Sequence, residues 1–588
     1  MKKILYVLMT LMSIAGAIAQ TPNYDGIIYV TPTGAGTHSG DSWANATSSI
    51  ADAQSIAQAH NAVVWVAAGI YYGDTTSTSE NAFTMVDGVN VYGGFAGNEP
   101  ANYDLSLRDF QTNNSILDGD SARRVLYGNL SVRTVWNGFT IQNGIASGYS
   151  SGGVYIRNAN LNLCEITNNY GCCQGVGIYA ISSVISNCTI HNNSSGLPLG
   201  FCDSFGGGVF VDSSAVSNCH IYSNISGWAG GGIDGSNSTI SDCYIYNNTA
   251  IVGGGINGYN LTISDCYIYN NTGGGFRSEY GSVLSNSIIS NNTGGGINYG
   301  FPYGHYVTTF PLLIKNSTIV CNARAGISAY EHIDIVNSIV WGNKNADIIN
   351  NIEGDSAIVS FSAIEGGYIG EGNINIDNTT PIFVNPSLTT GSSDSTDNID
   401  WHLLPEAICI NQGNNEAVND SLDLDGLPRI GCDIVDMGCY EFYYVNDIYQ
   451  NAQSNYTWHN HTYTESGDYP WLGLLSTYCD SIEILHLTIG STVGINHCAE
   501  ESDNNLTVYP NPTNGVVNVQ CTMNNVQFGD MELQLLDTYG RLLNVVRANN
   551  DSPLQTAQID LSRYATGVYF VKVMADGKTV GVRKMVRN

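Results

Sequence analysis

Short alternating bursts of apolar and polar residues recur from Leu163 to the region of Asn343, and no apolar stripe of helical spacing separates them. "DCYIYNNT" at residues 242–249 returns unchanged at residues 265–272. Degraded copies are "LCEITNN" from Leu163, "NCTIHNN" from Asn187, "NCHIYSN" from Asn218, "NSIISNN" from Asn286, "NSTIVCN" from Asn316 and "NSIVWGN" from Asn337. One column of the repeat is always Cys or Ser: Cys164, Cys188, Cys219, Cys243, Cys266, Ser287, Ser317, Ser338. Its spacings are 24, 31, 24, 23, 21, 30 and 21 residues. A period in the low twenties with occasional longer steps is that of a solenoid whose insertions bulge as loops.

Two solenoids have this period. The leucine-rich repeat fits "TISDCYIYNNTA", but it needs a helix or similar element on the convex side of each turn. The intervening "GGGINGYNLTI" is glycine and β-branched residues, which favour strands over helix. Each turn therefore reads as two or three short strands, coiled all-β. This is similar to the right-handed parallel β-helices of the pectate-lyase-like fold found in bacterial surface proteins. Strand alternation points Cys243 and Ile245 inward, and Asp242, Tyr244 and Tyr246 outward. Glycine supplies positive φ at corners, while Asn247-Asn248 supplies amides that can stack and bond along the axis.

The rest of the chain divides around this solenoid. Residues 1–19 read as a signal peptide, with a basic start, an apolar run and cleavage between Ala19 and Gln20. Residues 20–120 give an N-terminal cap and first coils, including a short amphipathic helix. With Gly40, Asp41, Ser42, Trp43, Tyr92, Gly93, Gly94, Phe95, Gly97 and Glu99, this stretch resembles the opening of β-helix proteins of Bacteroidetes and polymorphic outer-membrane proteins. Residues 121–442 hold the β-helix, with coils to about residue 385 and a segment that closes the last coil. That segment carries Asn411, Gly413, Asp423, Asp425, Gly426, Pro428, Arg429, Asp436, Gly438 and Glu441, and it resembles the end of choice-of-anchor Q proteins. A small β module and linker fill residues 443–500; there His459 and His461 are expected to alternate on one strand face.

Residues 505–588 carry Tyr509, Pro510, Asn511, Pro512, Gly515, Asp537, Gly540, Arg541, Leu561, Gly567, Val568, Tyr569 and a basic tail from Arg583. These landmarks resemble a type A sorting domain of the type IX secretion system, a small β-sandwich. The resemblance implies export through that machinery, to the medium or the outer-membrane surface.

Charge and cysteine content narrow the function. The net charge is −31, and between residues 20 and 500 only 10 basic residues accompany 43 acidic ones. Such a surface repels nucleic acid and anionic lipid. No later run is long enough to span a membrane, and a monomer is expected. Cys188, Cys219, Cys243 and Cys266 project in parallel from stacked coils, a poor geometry for disulfides, so they are expected to be reduced. Cys172, Cys173, Cys202, Cys409, Cys432 and Cys439 are better bridge candidates. No zinc spacing, phosphate loop or HExxH is present.

Two candidate sites follow from stacking the repeat. Asp242 and Asp265 fall on adjacent coils about 5 Å apart, where like charges repel by on the order of 3 kcal/mol at an effective dielectric near 20. Calcium bridging the two is one reading, and splayed, solvated carboxylates the other. Outward rings form a second pattern: His191, Tyr222, Tyr246 and Tyr269 in one column, His220, Tyr244 and Tyr267 in the next. Such an aromatic strip suits sugar faces, or serves only as cross-strand packing. The leading functional expectation is binding, to glycans or to a cell-surface partner. A polysaccharide lyase or hydrolase, with Asp203, Glu279 or Glu331 as loop-placed carboxylates, is the alternative, and a structural spacer the third. Deleting residues 505–588 should leave a folded β-helix trapped in the periplasm. Fractionation would check this, and normal arrival at the surface or in the medium would refute the sorting role.

Overall fold

The structure, a computed structural model, describes residues 22–23, 25–76, 79–146, 151–172, 174–195, 204–300, 310–344, 352–353, 357–377, 379, 381–387, 390–391, 399–431, 433–471, 481–489, 506–509, 513, 515–522, 531–536, 542–548, 554–564, 567–575 and 578–587. The expected cleavage residues Ala19 and Gln20, and also Cys173, Cys202, Asp203, Cys432, Pro510, Asn511, Pro512, Asp537, Gly540 and Arg541, lie outside the described residues. Contacts divide the chain into two units, residues 1–448 with 470–484, and residues 449–469 with 485–588.

Three strands make each central coil. In one coil they are Ile233–Ser236, Thr239–Ser241 and Tyr244–Tyr246. Each pairs in parallel and in register with its counterpart one coil on: Ile233 with Ile256, Ile240 with Ile263, and Ile245 with Ile268. Third strands build one sheet from Gly69–Tyr71 to Ile374–Ile376, while first and second strands share a larger one. The inward residues Ile233, Ile240, Cys243 and Ile245 are fully buried and belong to one continuous core.

Three corners per coil impose the sequence columns. Asn237, Asp242 and Asn247 adopt φ of 50°, 54° and 55°, and Asn260, Asp265 and Asn270 repeat this one coil later. Asn and Asp are the side-chain-bearing residues that most readily enter this left-handed region. After five of these six residues comes a small inward side chain, Ser238, Cys243, Asn248, Cys266 or Asn271, while Leu261 follows Asn260. Asn248 Oδ1 accepts from the backbone N–H of Asn224 at 3.0 Å and from its side-chain amide at 3.1 Å. Its own amide donates to Ile221 O at 2.8 Å and to Asn271 Oδ1 at 3.1 Å. The same ladder extends from Asn169 through Asn193 to Asn292, Asn322 and Asn343. At the second corner Cys219 Sγ accepts from Cys188 N, and Ser287 Oγ from Cys266 N at 3.1 Å. A third ladder links Ser183, Ser214 and Ser238. Cys and Ser interchange because either supplies one small acceptor that also donates back to the carbonyl two residues earlier, as Cys243 does to Ser241 O and Ser287 to Ser285 O. Cys188, Cys219, Cys243 and Cys266 are free and buried.

Glycine at the triplets has two causes. Gly253 takes φ of 55°, but Gly255 is required by space: a Cβ there would lie 2.5 Å from Gly275 O and 3.0 Å from the Asn271 amide.

Helix Ile50–His60, capped by Ser49 Oγ accepting from Asp52 N, buries Ile50, Ala53 and Ala57 into the solenoid core at its first coil. Trp43, Trp65 and Phe95 pack with Ile27 and Tyr29 in a separate cluster, on the other face of the first strands, and the Trp43 indole donates to Glu99 O. Trp43, Phe95 and Glu99, three of the residues behind the N-terminal resemblance, thus meet.

The far end departs from expectation. Phe383–Asn385 pairs antiparallel with Asp400–Leu403, so the coils stop at Ile374–Ile376 instead of about residue 385. Residues 399–443 do not close the last coil. They fold back along the sheet of third strands, where Gly438 N donates to Asn337 O, Cys439 N to Thr318 Oγ1, and the Asn286 amide to Leu422 O. The reason lies in the outward columns, which change there to Ile288, Val320 and Ile339 and join Met437, Cys439 and Tyr440 in a second apolar cluster. Cys409 and Cys439 are free and fully buried in that cluster, against the expectation of bridges; Cys172 is disulfide-bonded.

His459 does not share a strand face with His461. His459 and Asn460 have φ of 45° and 62° and form the two-residue turn between paired Trp458 and His461, the geometry of a tight hairpin. The C-terminal region is a sandwich. One antiparallel sheet holds Leu506–Tyr509, Val516–Thr522 and Leu554–Asp560, and the other Met531–Leu536, Leu542–Ala548, Gly567–Ala575 and Lys578–Arg587. Val517, Leu533, Ile559, Tyr569, Val571 and Met585 fill its core.

Asn248→Ala should cost about 3 kcal/mol, because it strands a buried N–H at Asn224 and a carbonyl at Ile221. Urea unfolding measures this, and a loss below about 0.5 kcal/mol would contradict the ladder's role.

Candidate functional site

Several of the residues singled out by the repeat converge on one flank of the solenoid. Asp242, Asp265, Tyr244 and Tyr267 line a groove of about 580 Å³ together with Asp420 and Asn218. The outer wall is the folded-back segment, so the groove exists only because residues 419–426 lie against the coils. Burial raises the Asp265 carboxyl above the ordinary carboxylate range; the Asn286 amide opposes this from 2.6 Å, and the charges of Asp242 and Asp420 add to it. Among the described residues no three His, Cys, Asp or Glu side chains are arranged to hold a metal ion. Asp242 and Asp265 occupy corners at φ of 54° and 55°, a conformation that Asp enters readily.

Both aromatic columns form. His191, Tyr222, Tyr246 and Tyr269 stack at 4.8, 5.0 and 5.0 Å, with planes within 10°. His220, Tyr244 and Tyr267 stack at 4.8 and 4.6 Å. These spacings equal the separation of coils, so ring faces are turned toward one another along the axis. What the columns offer outward is ring edges and hydroxyls, not the flat strip of faces expected. Tyr244, at 38% exposure, is the most open of the paired Tyr244 and Tyr267, whose hydroxyl instead meets that of Tyr440 at 3.2 Å.

The segment that makes the outer wall is held by charge as well as apolar contact. Arg429 is 1% exposed and donates to Asp436 O and Gly438 O, with Glu441 3.7 Å away. Asp423 accepts from the backbone of Asp425, Leu427 and Glu441, and Asp436 from that of Asn411 and Phe442. These bonds tie the backbone of the segment to itself. Sequence reasoning missed His402, which is clamped between Asp400 and Asp425 at 2.6 Å each and stacks on Tyr440 at 4.2 Å. Burial works against its charge, but the hydrogen bonds and charges of Asp425 and Asp400 prevail and push it up to about 9. Burial, with the charge of Asp436, pushes Glu441 up to about 9 despite Arg429.

A second polar cluster was also missed, apart from Glu279. Asp234, 7% exposed on the first strand of its coil, accepts from the Asn257 amide at 2.5 Å. Arg277 donates to Asn257 Oδ1 at 2.9 Å and to Glu279 at 2.8 Å. Burial pushes the Asp234 carboxyl up to about 7, with Asn257 and Arg277 opposing and Glu279 adding. Only their register brings these residues together, since nothing in the local sequence marks them.

Of the sorting residues, Tyr569 is in the sandwich core, Tyr509 is exposed at a strand end, Gly515 precedes a strand and Gly567 begins one. Residues 507–588 match the family described as secretion system C-terminal sorting domain, and residues 204–309 match the right handed beta helix region. The chain thus carries a right-handed β-helix and a type IX sorting domain, and it is destined for secretion or the cell surface. Among the described residues no helix is long and apolar enough to cross a membrane. No curated protein matches the chain. Solved structures similar to it include pectate lyase Pel9A, at 13% identity and a TM-score of 0.40 over 72% of this chain and 97% of that one. The mannuronan C-5 epimerase AlgE6 A-module of Azotobacter vinelandii gives 14% and 0.28 over 54% and 94%. Tailspike protein 3 of bacteriophage CBA120 gives 14% and 0.22 over 56% and 57%. At these values none bears on activity.

His402 and Glu441 bind their protons more tightly in the folded chain than in an unfolded one. Their contribution to stability is therefore complete below their ordinary pKa values and is lost as pH rises toward about 9. The thermal midpoint of the β-helix should fall between pH 7 and 9.5, and less steeply in His402→Gln. An unchanged midpoint across that range would contradict the assignment.

Proposed function

We propose that the protein is an exported β-helix that acts by binding a polyhydroxylated ligand, a glycan at a cell surface or in the medium, in the flank groove. One observation carries this reading: four aspartates, Asp242, Asp265, Asp420 and the backbone-bonded Asp423, line the groove with Tyr244 and Tyr267, and no Arg, Lys or His is among the described lining residues. Carboxylates and phenol hydroxyls accept hydrogen bonds from sugar hydroxyls, while the negative field disfavours uronate and phosphate groups. Binding therefore runs through hydroxyls and ring edges instead of face stacking. The alternative of polysaccharide cleavage rests on Asp234 and Glu279, which lie with Arg277 on the other sheet.

The test is a glycan array probed with the protein, followed by titration of the best ligand. Replacing Tyr244 with Ser together with Asp420 by Asn should weaken binding at least tenfold, about 1.4 kcal/mol. Replacing Tyr246 and Tyr269 with Phe, outside the groove, should leave it unchanged. Equal affinity in the first variant and the parent would sink the groove as the site.

A further inference from the structure

Outward positions on the first strands form a third ring column. Tyr127, Tyr155, Tyr179 and Phe210 stack at 5.2, 5.1 and 4.9 Å. The next positions in register are Asp234, Asn257 and Arg277. The stack therefore ends with one face of Phe210 turned toward a step that carries no ring. A cavity of about 190 Å³ opens there, lined by Phe205, Phe210, Asp234, Asn257, Tyr259 and Glu279 among others. It is smaller than the roughly 300–1,000 Å³ of pockets that hold drug-sized ligands, and so suits a single ring.

Charge around this cavity is balanced by Arg277, which bonds the lining residues Asn257 and Glu279. Arg277 is paired with Glu279, and the buried carboxyl of Asp234 is uncharged on the acid side of about pH 7. A carboxylic acid both donates and accepts, and an ionised carboxylate accepts. Such a set has no excess positive charge to hold a phosphate and no excess negative charge to hold a strong cation. It matches a neutral ring with adjacent hydroxyls, which would set its apolar face on Phe210 and its hydroxyls on Asp234 and Glu279.

We propose that this cavity is a second ligand site, one that takes a single neutral sugar ring, free or at the end of a glycan chain. It stands independently of the flank groove, because it lies on a different sheet and shares no residue with it. The test titrates the full chain at pH 6 with glucose, galactose and mannose, and with tetrasaccharides ending in each. At least one sugar should bind saturably, at least tenfold more weakly in Phe210→Leu and in Asp234→Leu. Asp234→Asn keeps a neutral donor and acceptor of the same size and should retain affinity within threefold, which separates recognition from misfolding. Tyr244→Ser in the groove should have no effect. Equal affinity for the tetrasaccharide identifies a chain end, and preference for the monosaccharide a free sugar. Failure of all three sugars to bind, or binding indifferent to Phe210→Leu, would overturn the proposal.

Discussion

Every corner of this solenoid must satisfy a backbone N–H that leaves the strand ladder as the chain turns. The N–H of Asn224 finds the side chain of Asn248 one coil on, that of Cys188 finds Cys219, and that of Ser183 finds Ser214. An unpaired buried amide costs about 1–3 kcal/mol, and the requirement recurs three times in each coil. Hence the left-handed Asn or Asp, the small inward acceptor after it, and the glycine where a side chain would strike the next coil. Fixed register follows, and with it the stacking of outward rings at the coil spacing.

Sites arise where an outward column changes character. The Tyr244 and Tyr267 column turns apolar at Ile288, and that change seats residues 399–443, whose residues 419–426 then wall the groove. The Tyr127 to Phe210 column turns polar at Asp234, and a cavity takes the place of the next ring. Scaffold and site thus share one geometry: regular columns give rigidity, and their interruptions give concavity. The sorting domain contributes delivery and is a separate sandwich with its own core.

The period, the inward Cys and Ile, the stacked tyrosines and the sorting sandwich were all legible from residues 163–345 and 505–588, because near-neighbour repetition writes coil contacts into local spacing. The orientation of the rings was not, since alternation says which side a ring is on and nothing about its tilt. The groove was half legible. Asp242 and Tyr244 lie in the repeat, but their opposite wall comes from far along the chain, as with Tyr440 meeting Tyr267 across 173 residues. Asp234 and Arg277 stayed hidden because each sits in an unremarkable strand and gains meaning only from the coil beside it. His402 went unseen because both its aspartate partners depend on how the returning segment folds.

Native-state hydrogen exchange at the corners tests the ladder most directly, since exchange reports which amides open only with the whole fold. The amides of Asn193, Asn224, Asn248 and Asn271 should exchange as slowly as those of the core strands, and together with them. Exchange at those four positions as fast as in exposed loops would contradict the account.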